Sequence, residues 1–362
     1  MSEEMAAGFR EANLREHPAI KAWAKLQPES VPPAGIGTLR ERRKGRVYRL
    51  EGVGPGGSDV IAKRSSPERI RDEHTLYEQV LPALPIPTVR YYGFVEEPAP
   101  ASGYPACCWL FLENAGGERY SPLIAEHRAL AARWLGRLHT AAALLRDEGR
   151  GTRDEKSGLV PHPSSLLPLA RLPDRGPGHY LQCLRSALRG IRAGPANPQL
   201  CAGDLAVLQT VLSQCEILES RWNRVERFCE GMPRTPVHGD FKGNNVCVRT
   251  SEAGLVLLPF DWGEAGWGVP AIDLAQSPLS HPGFSGSADL ATYGSVVRDQ
   301  WPGLDRQTLQ QWADVGTVFR ALAAIHWASL RLTHEWIEAS MGRLRTYHAM
   351  IAHAVQPAGW VG

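Results

Sequence analysis

The stretch PVHGDFKGNNVCVRTSEAGLVLLPFDWGEAG, Pro236 to Gly266, constrains this chain more than any other. Two apolar, strand-like runs, VCVRT and LVLLPF, flank SEAG, which reads as a four-residue turn. With Thr250 paired to Leu255, counting back along both strands sets Asn245 opposite Phe260. Asn245 and Asp261 then lie at the open end of one hairpin, since paired strands run about 5 Å apart. Asp240 stands on the loop entering the first strand, so three oxygen-bearing side chains converge. Two carboxylates and an amide carbonyl are hard ligands that suit Mg²⁺, which keeps several waters and takes a few protein oxygens plus substrate phosphates. With Asn245 and Asp261 as the metal ligands, Asp240 is left to accept a proton. Singly, each of the three also reads as an ordinary turn or strand-end residue; the order and spacing of the set favour a site.

The 362 residues exceed what one small core needs, so two lobes are expected. Hydrophobic residues make up 43% and charged residues 22%, and the formal net charge is +2, which gives no sign of a nucleic-acid or membrane-surface binder. The seven cysteines are scattered, with Cys107 and Cys108 adjacent and no CxxC pair, which suits a reducing compartment rather than a disulfide framework or a zinc site. The charged start MSEEMAAGFREANLREHP does not resemble a secretion signal, and no apolar run approaches the ~20 residues of a membrane span. A cytoplasmic protein is expected.

Residues from about 8 to 26 read as a helix, and PESVPPAG as a linker. From Ile36 to Glu113 the pattern is mostly strands: IGTLRERRKGRVYRLEG as two strands around a basic turn, then SDVIAKRS, TVRYYGFVEE and CCWLFLEN. SSPERIRDEHTLYEQVL interrupts them as a helix started by Ser66 and Pro67. Beyond NAGGERYSP the chain turns helical in AEHRALAARWLGRLHTAAALL, HYLQCLRSALRGIR and DLAVLQTVLSQCEILESRWNRVERFCEG, and again after the hairpin. The expected organisation is an extension and linker over 1–35, a β-rich nucleotide-binding lobe over 36–113 and a helical lobe over 114–362 carrying the catalytic loop, metal site and acceptor site.

His238-Gly239-Asp240, x4, Asn245, followed by Asp261-Trp262-Gly263, resembles the catalytic segments of the aminoglycoside phosphotransferase and choline kinase family, distant relatives of protein kinases. Gly268-x-Pro270-x-x-Asp273-Leu274-Ala275 resembles the family's next stretch, whose Asp is structural. The resemblance spans roughly 36–352, with its strong motifs confined to 236–275. It implies an α+β, bilobal protein-kinase-like fold: a small β-rich N-terminal lobe and a larger, mainly helical C-terminal lobe. It also implies His238 as a residue that orients the loop and His139 as a packed helix histidine.

GVGPGG, Gly52 to Gly57, matches a dinucleotide fingerprint in letters only, because a strand rather than a helix follows it. It reads as a hairpin turn. The phosphate-covering loop is expected at the earlier turn, Arg40 to Gly45, through backbone N–H groups helped by Arg43 or Lys44. Lys63 ends the alternating strand DVIAK, in the place of the kinase strand lysine. Ile70, Leu76, Tyr77, Val80 and Leu81 share one helical face, and Glu73 falls within it while Glu78 points away. A buried glutamate wants a cation, so Glu73 is the expected partner of Lys63, with Glu78 as fallback. In kinase-like proteins the adenine edge meets the backbone of the connection between lobes, here Leu110 to Glu113, including Leu112.

The reaction implied is transfer of the γ-phosphoryl group of ATP, or GTP, to a small-molecule hydroxyl, with Asp240 as base and Lys242 neutralising the transferring group. The acceptor-side helical part shows no acidic excess: ten acids and twelve bases lie between Asp147 and Pro236, and six of each from His281 onward. That disfavours a polycationic acceptor. Seven of the eleven tryptophans fall from Trp262 onward, among them Trp267, Trp301, Trp312, Trp327 and Trp336, mostly for packing, with one or two available to stack on a sugar or antibiotic-like acceptor. Three alternatives stand beside this: a nucleotide-binding pseudokinase, a metal-dependent hydrolase using His238 and Asp240, and a protein kinase, which the missing glycine loop and A-P-E segment disfavour.

Overall fold

A computed structural model describes residues 14–42, 45–99, 106–148, 172–275, 289–334 and 337–355. The chain divides into two compact units: Met1–Glu118 with Cys247–Gly263, and Arg119–Val246 with Glu264–Gly362.

The first unit is built on a five-stranded antiparallel sheet, β1 (Ile36–Arg42), β2 (Gly45–Leu50), β3 (Val60–Ser65), β4 (Tyr91–Glu97) and β5 (Cys107–Glu113), in the order β1-β2-β3-β5-β4. Strand alternation sends Tyr48, Leu50, Val60, Ala62, Trp109 and Phe111 to one face, where helix Pro18–Leu26 buries Ala19, Ile20, Ala22 and Trp23 against them. The other face meets helix Pro67–Thr75, which begins with Pro67 at its first position and runs on through a π turn, Leu76–Val80. That turn keeps Leu76, Tyr77 and Val80 buried. Covered on both faces, β5 is apolar along almost its whole length instead of alternating. GVGPGG forms the connection from β2 to β3, with Gly52, Gly56 and Gly57 at positive φ.

The expected basic turn from Arg40 to Gly45 is shorter than the sequence suggested. Arg40, Glu41 and Arg42 continue β1 opposite Val47, Arg46 and Gly45; Arg43 and Lys44 lie outside the described residues. A register shift between Thr38 and Arg40 leaves Leu39 exposed and turns Arg40 to a new direction. The hairpin Val246–Ser251 and Gly254–Pro259 also has longer strands than the four-residue turn allowed, with Glu252 and Ala253 at its tip.

The second unit is organised around helix Arg306–Ser329, which packs against Glu338–Val355, Pro177–Ala193, Leu290–Val297 and the short helix Ala271–Leu274. Gly316 permits the last approach: a Cβ there would lie 1.8 Å from the Ala271 carbonyl oxygen. Tyr180 stacks on Phe319 at 4.2 Å. The long helical pattern after Pro198 is two helices, Ala202–Ser220 and Trp222–Glu230, broken at Arg221. Among the described residues no helix is long and apolar enough to cross a membrane.

Candidate active site

In the first unit the sheet pleat decides where Lys63 points. Its neighbour Ala62 faces the N-terminal helix, so Lys63 faces helix Pro67–Thr75. There Glu73, fully buried, accepts from Lys63 Nζ at 2.6 Å and from the Trp262 N–H at 3.2 Å. Lys63 Nζ also donates to Asp261 Oδ1, and Arg40 Nη1 lies 3.7 Å from Asp261 Oδ2. Burial works against the Lys63 charge, but the carboxylates of Glu73 and Asp261 outweigh it and raise the ammonium's pKa. Glu78 is half exposed and faces His74 instead. Among the described residues Asp261 is the only non-glycine at positive φ, 63°, a conformation that persists only where surrounding contacts fix it.

Leu110 and Leu112, expected to offer their backbone to the adenine edge, lie in a paired strand. Leu110 pairs with Lys63 on one side and Phe94 on the other, and Leu112 with Ile61 and Tyr91, so both peptides lie inside a two-sided ladder. The Glu113 N–H goes to Arg90 O at 2.8 Å and the Asn114 N–H to Asp59 O at 3.2 Å. Past them, Ala115 N–H is the first main-chain donor beyond β5 without an acceptor among the described residues. Glu113 itself anchors the hairpin, accepting from Arg249 Nη1 at 2.6 Å.

In the second unit the chain passes from Thr235–Val237 into the loop that carries Asp240. Gly239 has φ 76°, and a Cβ there would come within 2.1 Å of the Glu264 carbonyl oxygen, so only glycine fits. Buried Asp273 holds this turn from below: it accepts from the His238 N–H at 2.7 Å, the Gly239 N–H at 2.9 Å and His139 Nε2 at 3.3 Å. Burial pushes the Asp273 carboxyl up, but the His139 hydrogen bond and charge, with His238, keep its pKa below the ordinary value. His139 Nδ1 meets the Tyr293 hydroxyl at 2.9 Å. His238, also buried, accepts from the Asp240 N–H at 3.3 Å through Nδ1.

Asp240 therefore emerges from a braced turn. Lys242 Nζ donates to both its carboxylate oxygens, at 2.8 and 2.6 Å. Asn245 Nδ2 donates to the Asp240 carbonyl oxygen at 3.0 Å and to Oδ2 at 2.8 Å. With Nδ2 spent this way, Asn245 Oδ1 is the atom of that amide left for a cation. Phe241, beneath the loop, is buried among Trp134, Tyr120 and His238.

The structure thus gathers Lys63, Glu73 and Asp261 in the first unit and Asp240, Lys242 and Asn245 in the second. Arg40, expected only as the start of the phosphate-covering turn, stands beside Asp261 because a β-bulge, which leaves little signature in one sequence, re-aims it. Arg43 and Lys44, expected on the phosphates, lie outside the described residues, as does Trp336. Trp312 is core; Trp267, Trp301 and Trp327 are half-buried. Among the described residues no group of three or more His, Cys, Asp and Glu could hold a metal by itself.

Solved structures share this fold. A microcompartment-associated aminopropanol kinase is 15% identical with TM-score 0.56, covering 94% of this chain and 98% of that one. An APH(2″) enzyme solved with GDP and kanamycin is 12% identical with TM-score 0.55, covering 91% and 97%. Choline kinase from Cryptosporidium parvum Iowa II is 10% identical with TM-score 0.55, covering 99% and 96%. No curated protein matches the sequence. The phosphotransferase enzyme family (APH) matches residues 36–325, most of the chain, and the chain belongs to that family of small-molecule kinases.

Proposed function

We propose that the chain transfers the γ-phosphoryl group of ATP, or of GTP, to a hydroxyl of a small molecule. The observation that carries this reading is the Lys63 ammonium gripped by a fully buried Glu73, since a strand lysine held at fixed reach serves phosphates better than a solvated one. Lys63 binds the nucleotide's α- and β-phosphates, and Ala115 N–H with the Glu113 carbonyl meets the base edge, replacing the positions Leu110 and Leu112. Asp261 and Asn245 are the residues that would hold Mg²⁺; a carboxylate and an amide oxygen are the hard donors that ion takes. When bound, the metal neutralises phosphate charge. Asp240 orients the acceptor hydroxyl and takes its proton, and Lys242, now on Asp240, moves to the transferring phosphoryl group. The structural neighbours include an aminopropanol kinase, a choline kinase and an APH(2″) enzyme bound to kanamycin, which supports a small alcohol as acceptor. A cytoplasmic setting, where nucleoside triphosphates are held, goes with this reading.

Isothermal titration of MgATP and MgGTP against the full chain and Asp261→Ala tests it. Binding that needs Mg²⁺ and is lost in the variant supports the phosphotransferase site. No binding at millimolar nucleotide sinks it, and binding without transfer to any hydroxyl compound would make the protein a pseudokinase.

A further inference from the structure

The helical unit places cations beside the base, and Glu264, the acid packed against Gly239, faces Arg175 Nη2 at 3.6 Å. Arg320, on helix Arg306–Ser329, is half-buried and donates through Nη2 to the carbonyl oxygen of Phe241, the residue after Asp240. Lys242 lies on Asp240 itself. Tyr347, one turn beyond Arg343 on helix Glu338–Val355, which packs on the helix of Arg320, is buried, which raises its pKa; Arg320 and Arg343 oppose that rise and Asp240 adds to it. Buried Tyr120 senses Arg128 and Arg320 in the same way. Among the described residues no carboxylate pairs with Arg320 or Arg343, although Arg345, two residues on, is paired with Asp204.

A half-buried guanidinium that shares only a carbonyl has lost water without gaining a counter-charge. A ligand carboxylate or phosphate restores that balance through charge-assisted, fork-shaped hydrogen bonds, whereas an ammonium placed there is repelled. We propose that the acceptor is an anion: a hydroxyl compound that also carries a carboxylate or phosphate group, bound by Arg320 and Arg343 beside Asp240. The proposal rests on the phosphotransferase reading of Asp240 and narrows its substrate. Transfer is balanced as in any kinase: the acceptor oxygen bonds to the γ-phosphorus, the β–γ bridging bond breaks, and the hydroxyl proton passes to Asp240.

The test is a γ-phosphate transfer screen with the full chain over four panels: hydroxy and sugar acids, sugar phosphates, neutral sugars, and amines including aminoglycosides and choline. MgATP binding is measured in parallel by titration. Turnover concentrated in either anionic panel supports the proposal, and the two anionic panels tell carboxylate from phosphate. Arg343→Gln, an exposed position whose variant should fold, is expected to raise KM for the anionic acceptor about tenfold or more with KM for MgATP within about twofold of wild type. Arg320→Lys should recover more of the acceptor affinity than Arg320→Gln. MgATP binding with turnover of neutral or amine acceptors alone, or with no anionic compound turned over, overturns the anionic acceptor and leaves the phosphotransferase reading standing. Arg343→Gln and Arg320→Gln that change only KM for MgATP also overturn it, by assigning the arginines to the nucleotide. No MgATP binding overturns both readings.

Discussion

Replacing Asp273 tests the brace beneath the catalytic loop. Asp273→Ala strips the acceptor from two buried main-chain donors, His238 N–H at 2.7 Å and Gly239 N–H at 2.9 Å, and from His139 Nε2 at 3.3 Å. A buried donor left without a partner costs about 1–3 kcal/mol, and three donors lose theirs here. They share one carboxylate and do not add in full, so the expected loss is about 3–5 kcal/mol. Asp273→Asn keeps the shape but must turn its NH₂ toward one of those donors, an expected loss of about 1–3 kcal/mol. Urea titration followed by tryptophan fluorescence measures both. The pH dependence supplies a second reading. Because the folded-state pKa of Asp273 is depressed, its contribution is complete above the unfolded carboxyl value, about 4, and is lost as pH falls through the lower folded value. Wild type should therefore lose stability below about pH 4 more steeply than Asp273→Asn, which has no proton to take up at that position. An Asn variant that unfolds at the wild-type urea concentration, with the same acid slope, would refute the brace.

Three further outcomes follow from the geometry. Lys63→Met should lower kcat/KM for MgATP by about 10²–10³, the effect of losing one preorganised charge, while Glu73→Gln, which keeps an acceptor for the Trp262 N–H, should cost less; steady-state kinetics of both variants checks the order. Asp240→Asn should reduce kcat by about 10²–10⁴ with MgATP affinity retained, read by single-turnover transfer and titration, and an unchanged kcat would remove Asp240 as base. Gly239→Ala, which forces a Cβ against the Glu264 carbonyl at φ 76°, should destabilise the helical unit by more than the about 1–2 kcal/mol of a left-handed alanine, and a melting temperature equal to wild type would show that the loop relaxes freely.

What the sequence disclosed tracks the range of each interaction. Glu73 was legible because a charge interrupts an apolar helical face, a local pattern that already demands a distant cation, and the pleat of β3 supplies it in Lys63. The bilobal α+β plan was legible in the change of period from strand to helix near Glu113. The surroundings of the adenine-edge position were not legible for the opposite reason: CCWLFLEN shows a buried strand but not which edges are paired, and helix Pro18–Leu26 with β3 and β4 encloses β5 up to Glu113. Arg40 needed a bulge whose only trace is one exposed leucine, Leu39.

Asp273 lies between these cases. Its role entered through resemblance alone, since an aspartate near a short helix carries no pattern that says it is buried. What makes it structural is physical: two successive N–H groups, from His238 and Gly239, converge on one buried carboxylate, and the positive φ at Gly239 then turns the chain toward Asp240. Glycine 239 and aspartate 273 therefore depend on each other. Gly316 belongs to the same arrangement, because it lets helix Arg306–Ser329 close on the Ala271 carbonyl and hold the helix that carries Asp273. The chemistry assigned to Asp240 thus rests on two glycines and a buried carboxylate that never touch the substrate. A mutational scan of the helical unit that scored activity alone would mistake all three for catalytic residues, whereas unfolding measured alongside it would separate them from Asp240.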